Sequence, residues 1–136
     1  MTVRTATSVL DASALLALIQ DEAGADRVER AIAEGALVST VNWAEVLSRL
    51  VQLGGDPAQI GAQAVPGSDA GLLHLVPFDD EHARETARLR RPTQSLGLSL
   101  ADRSALALAR LLGLRVLTTD RAWRSLRLPI KIEVIR

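Results

Sequence analysis

Short apolar runs that end in a helix-capping residue recur along this chain, and that alternation constrains the fold more than any other feature. Val9-Leu10 reads as a strand, and Asp11-Ala12-Ser13-Ala14-Leu15-Leu16 opens a helix with Asp11 at the N-cap. A second helix runs from about Ala25 to Glu34, with Gly35 as its stop. Leu37-Val38-Ser39 is a short strand, followed by a helix from Val41 to Leu53 that ends at Gly54-Gly55. Asp56-Pro57 joins a cap to a proline at the first helical position and predicts another helix, before a break at Pro66-Gly67-Ser68. Leu73 to Pro77 reads as a strand, and Asp79-Asp80-Glu81 start a helix that Arg90-Arg91-Pro92 ends. Leu98 to Leu112 is an apolar helix stopped by Gly113. Arg115 to Thr119 is a strand, Asp120 caps a short helix, and Ile130 to Val134 alternates with period two as a last strand. Strand and helix in turn imply an α/β fold, a small and mostly parallel sheet with helices on both faces. A length of 136 residues fits one domain over residues 1–136.

Composition narrows the chemistry. There is no cysteine, which excludes disulfides, thiolate zinc sites and a thiol nucleophile. The two histidines, His74 and His82, leave little scope for imidazole sites, so a metal would be held by oxygen, as suits Mg²⁺ or Mn²⁺. Aromatic residues make up 2% of the chain, which argues against a surface that stacks single-stranded bases. Net charge is zero, and of the 16 cations only Lys131 is a lysine. Arginine is the better fork for phosphate, although a general bias toward Arg and Ala explains it equally well. The first apolar run, Ala12 to Ile19, is too short to span a bilayer, and the cytoplasm is the default compartment.

Ligands of open α/β sheets sit at the carboxyl ends of the strands. Asp11 and Asp120 each follow a strand and fall there, though either could be a plain N-cap. Asp102 lies early in its helix on a face shared with Ala105, Leu106 and Ala109. A carboxylate on an apolar face needs a partner: a metal, an arginine such as Arg103, or the solvent of an exposed first turn. Glu45 could instead pair with Arg49, four residues on. Four carboxylates converging on one sheet edge would repel, and a divalent cation removes the conflict while leaving positions for a phosphate oxygen and a water.

Leu10-Asp11-Ala12-Ser13, Glu45 after Ser39-Thr40, Leu98-Ser99-Leu100-Ala101-Asp102 and Leu117-Thr118-Thr119-Asp120 resemble, in order and spacing, the four acidic motifs of PIN-domain nucleases of the VapC toxin kind. The resemblance spans Val9 to Val134. It implies a PIN-like three-layer α/β/α fold and endoribonuclease activity with Mg²⁺ or Mn²⁺. It also implies a homodimer and a cognate antitoxin that blocks the site. It assigns Asp11, Glu45, Asp102 and Asp120 to the metal and the chemistry, with Ser13 and Thr118 as supporting hydroxyls. Arg103 departs from the small residue that many relatives carry after the third acid; it would either pair with Asp102 or point outward to RNA.

Two readings from other classes compete. A catalytically silent PIN-like module would bind RNA or a protein without cleavage, but all four acids are present. A phospho-acceptor receiver domain would carry paired acids near its first strand, and Asp11 has no acidic neighbour. Asp79-Asp80-Glu81-His82 is a capped helix start rather than a metal cluster, because consecutive helical residues diverge. His74 is a core or edge residue; Trp43 and Trp123 are core anchors, Trp43 alternatively an interface residue. Arg84, Arg88, Arg90 and Arg91 form a solvated face or a phosphate contact.

Overall fold

Strand β1 (Ser8–Leu10) is covered on both faces, which a continuous apolar run demands. Its chain neighbours in a computed structural model, which describes residues 5–61, 65 and 72–136, supply that cover. In order they are α1 (Ala12–Ile19), α2 (Ala25–Glu34), β2 (Ala36–Ser39), α3 (Thr40–Gln52), β3 (Leu73–Val76), α4 (Asp80–Arg88), α5 (Leu100–Leu112), β4 (Arg115–Thr118) and β5 (Ile132–Val134). Single 3₁₀ turns lie at Gln94–Leu96 and Arg121–Ser125.

The five strands pair in the order β3-β2-β1-β4-β5, and every pairing is parallel. Side chains alternate across the sheet, so Leu10, Val38 and Leu117 join one core with Leu15, Leu18, Val28, Ile32, Trp43 and Val46 from α1, α2 and α3. Val9, Leu37 and Val116 join the other, with Leu106, Leu108, Leu89 and Trp123. The result is three layers, α/β/α. Trp43 and Trp123 are both buried anchors, and His74 is half-buried on the edge strand β3.

Local chemistry sets the boundaries. Ser39 caps α3 by accepting from the Val41 amide, so the helix starts one residue earlier than the apolar pattern indicates. Ser99 and Asp102 form a reciprocal capping box, and α5 therefore begins at Leu100 rather than Leu98. Gly35 and Gly113 end α2 and α5 at φ 106° and 67°, where a Cβ is strained. The helix expected from Asp56-Pro57 is a turn at its start: Asp56 Oδ1 accepts from the Ala58 amide and its carbonyl from the Gln59 amide. The rest of that expected helix, and the break at Pro66-Gly67-Ser68, fall on residues 62–64 and 66–71, outside the described residues. Asp79 caps α4 through the His82 amide, so Asp79-Asp80-Glu81-His82 is a helix start. Among the described residues no helix is long and apolar enough to cross a membrane.

Candidate active site

The strand order fixes where a ligand can sit. The chain leaves β1 toward β2 and β3 on one side, and reaches β4 and β5 on the other. Between the carboxyl ends of β1 and β4 the connections part and leave a crevice. Asp11 follows β1 directly, and Asp120 lies two residues past β4. The ladder carries on into the crevice, because the Asp11 amide donates to the Leu117 carbonyl. Helix α5 must run back toward the start of β4, so its first turn, with Asp102, stands at the same edge. Helix α3 leaves β2 there and brings Glu45 in its second turn.

These four acids line one cleft of about 410 Å³, together with Ala12, Ser13, Leu16, Ser48, Arg49 and Gln52. All four acids proposed from the sequence are thus brought together, each from a different element. Arg49, Ser48 and Gln52 were not named as site residues. Their signal was present, since they follow Glu45 at helical spacings of three, four and seven. Arg49 donates to Gln52 Oε1 at 3.3 Å, and the Glu45–Arg49 pair offered as the plain alternative does not form.

Asp11 is the buried member, 4% exposed. Its Oδ1 accepts from the Ala14 amide at 2.8 Å and from the Ser13 hydroxyl at 2.6 Å. Ser13 Oγ also accepts from the Thr119 amide at 3.0 Å and lies 3.3 Å from Thr118 Oγ1. Thr118 Oγ1 in turn accepts from the Asp120 amide at 3.1 Å. The Ser13 hydroxyl donates to Asp11, and the Thr118 hydroxyl also hydrogen-bonds the Asp11 carboxyl. Ser13 and Thr118 thus link the Asp11 carboxylate to the Thr119 and Asp120 amides. The supporting hydroxyls expected from the resemblance therefore have defined positions between the two strand-end acids.

Burial pushes the Asp11 carboxyl up to about 6 from 3.8; its hydrogen bonds to Ser13, Thr118 and Ala14 hold it down, and the charge of Asp102 adds to the rise. Glu45 is also raised, first by desolvation and then by Asp102. The cleft thus carries more negative charge than it can comfortably hold. A cation is the natural relief, and the donor set is all oxygen, as Mg²⁺ and Mn²⁺ prefer. Among the described residues no three acidic, histidine or cysteine side chains are drawn close enough to enclose an ion by themselves. Mg²⁺ does not need such a cage, since it keeps several waters and takes one or two carboxylates.

Asp102 shares its helical face with Ala105, Leu106 and Ala109, and of the partners weighed for it the first turn itself supplies one. It is half-buried in the first turn of α5, where its Oδ2 accepts from the Ser99 amide at 3.1 Å. The helical period places it beside Ala105 and Leu106, but the first turn extends past the body of the core into the cleft. Arg103 neither pairs with Asp102 nor points outward: it is buried, and its Nη1 donates to the Thr86 carbonyl of α4 at 3.0 Å. In the basic stretch, Arg84 pairs with Asp80 and Arg88 with Glu85, while Arg90 and Arg91 line a separate shallow cleft with Pro92 and Gln94.

No curated protein sequence matches the chain. Solved structures do. A chain of a toxin–antitoxin complex from Klebsiella pneumoniae is 18% identical, with a TM-score of 0.66 over 93% of this chain and 100% of that one. The sarcin-ricin loop cleaving toxin VapC20 of Mycobacterium tuberculosis is 15% identical, with a TM-score of 0.64 over 88% and 94%. A member of the VapBC family of toxin–antitoxin systems, VapBC-5 from Mycobacterium tuberculosis, is 29% identical, with a TM-score of 0.55 over 96% and 98%. Residues 8–128 match the PIN domain, a span that includes all four acids, and the chain belongs to the PIN domain family.

Proposed function

We propose that this protein is a Mg²⁺- or Mn²⁺-dependent endoribonuclease acting in the cytoplasm as the toxin of a toxin–antitoxin pair. The carrying observation is the convergence of Asp11, Glu45, Asp102 and Asp120 on one cleft at the switch point of a parallel sheet. Similarity to chains of toxin–antitoxin complexes and to an RNA-cleaving toxin supports the same reading. A divalent ion held there supplies positive charge to the scissile phosphate and makes an attacking water more acidic. The protein's own share is placement. Asp11, locked by Ser13 and Ala14, is the fixed ligand, while Asp102 and Glu45 offer carboxylates from the facing helices. Arg49 on the cleft wall is placed to meet a phosphate oxygen.

The partners that go with this reading are RNA as substrate, a second copy of the chain, and an antitoxin that covers the cleft. A basic side chain from the antitoxin, set among the carboxylates, would silence the site. Incubating the purified protein with total RNA, with and without Mg²⁺ or Mn²⁺, tests the activity. Cleavage that needs the metal and is lost in Asp11→Asn supports the proposal. Cleavage undiminished in EDTA ends it, and a folded, metal-binding chain that cleaves no RNA points to the silent module instead.

A further inference from the structure

Resting on that reading of the cleft, we propose that Asn42 is a positioning residue that sets the separation of Glu45 from Asp102. Asn42 sits on α3, one helical turn before Glu45, and is 1% exposed. Its Nδ2 donates to the Ala101 carbonyl of α5 at 2.9 Å. Ala101 immediately precedes Asp102. A single side-chain hydrogen bond therefore spans two helices, and each end lies within one turn of an acid of the cleft.

The apolar cores do not supply this alignment. Trp43 and Val46 of α3 pack into one core, and Ala105 and Leu106 of α5 pack into the other. Burial of apolar surface has no direction, whereas a hydrogen bond fixes distance and angle. The remaining polar atom of Asn42 sharpens the case. Its Oδ1 is buried with no donor. Leucine has the same number of side-chain heavy atoms, branches at the same carbon and leaves no acceptor unsatisfied, so a residue needed only to fill this space would not have to carry an amide. What leucine lacks is the donor that reaches Ala101. Misplacing a reacting group by an ångström is costly to catalysis, and metal ligands depend on the partners that orient them.

Asn42→Leu tests this, with the metal concentration at half-saturation as the readout. That half-point is taken from the metal-induced rise in melting temperature and, separately, from RNA cleavage. The expected result is a half-point raised about tenfold by both measures, the usual size for loss of a partner that orients a ligand. The melting temperature in EDTA holds or rises, and KM for RNA stays put. A residue that only fills space would lower the melting temperature in EDTA and leave the half-point where it was, and that outcome overturns the proposal. If Asn42→Leu does not fold, Asn42→Ser, too short to reach Ala101, is expected to raise the half-point likewise, and an unchanged half-point in it overturns the proposal. Failure of both to fold makes Asn42 a structural residue and equally overturns it. A parent chain whose melting temperature ignores both metals removes the metal site itself, and this proposal with it. A responsive parent beside an unchanged variant removes this proposal alone.

Discussion

Asp11 and Asp120 are the same local object in two settings. Each follows a parallel strand, each holds an extended backbone, and each caps the next helical turn, Asp11 through the Ala14 amide and Asp120 through the Ala122 amide. Their surroundings differ completely. Strand β1 is central, and α1 lays Ala12, Leu15 and Leu18 over its end, so Asp11 is buried and its carboxyl resists ionisation. Strand β4 has only the edge strand β5 beyond it and feeds a short 3₁₀ turn, so Asp120 stays in solvent. The same cap is therefore buried and held by hydrogen bonds in one place and solvated in the other. Position in the sheet, not local sequence, separates them.

The largest effect should come from removing the buried partner. Asp11→Asn keeps the cap, since asparagine also accepts from the Ala14 amide, and removes the charge. We expect RNA cleavage to fall by about a thousandfold, the several kcal/mol that metal-assisted charge stabilisation supplies. Asp120→Asn should lose less. Equal losses in the two variants, measured as kcat/KM, would erase the distinction between them.

Acidity is the next readout of the burial of Asp11. The folded Asp11 carboxyl binds its proton more tightly than the unfolded chain does, with a pKa of about 6 against 3.8. Its contribution is therefore full below pH 3.8 and is lost as pH rises through 6, a change of about 3 kcal/mol. Melting the metal-free parent and Asp11→Asn between pH 4 and 7.5 should show the parent losing ground to the variant as pH rises. Glu133 titrates in the opposite sense, because its hydrogen bond from Arg27 lowers its pKa; the comparison with the variant cancels that background. A constant gap across the range would show that Asp11 is not desolvated.

Much of this was legible in the chain, and the limits are instructive. The strand-then-cap pattern placed Asp11 and Asp120 at the sheet edge, because N-cap chemistry is local. The helical period gave the side on which Asp102 lies but not its partner, because period does not report what stands beyond the first turn. Ser99, a capping residue three positions earlier, is that partner. The Asn42–Ala101 bond joins residues 59 apart, and no local rule reaches that far. Arg103 defeated both expectations because its arm bridges to a backbone carbonyl on α4, a partner without a sequence signature.

A smaller effect sharpens the metal reading. Mg²⁺ at roughly ten times its Kd should stabilise the parent by about 1.4 kcal/mol, and Asp11→Asn by much less. Thermal melts at pH 7.5 with and without the ion measure both, and a variant that responds like the parent would place the ion away from Asp11. Smallest is the cap itself. Asp120→Ala should cost about 1 kcal/mol of stability in EDTA, while Asp120→Asn should cost little. Identical melting of both variants would mean that the Ala122 contact contributes nothing.

The parallel sheet also imposes an order of events on synthesis. Ser13 meets Thr118 across 105 residues, and β1 obtains its second neighbour only when β4 pairs with it. Until then Asp11 lacks the Leu117 carbonyl, the Thr118 hydroxyl and the facing Asp102 that define its surroundings. A ribosome-bound chain that has emerged only as far as α4 holds two of the four acids and none of the crevice. Slow, long-range closure of this kind delays completion of the crevice until β4 has left the ribosome. A partner that covers the crevice therefore has nothing to bind until β4 is in place.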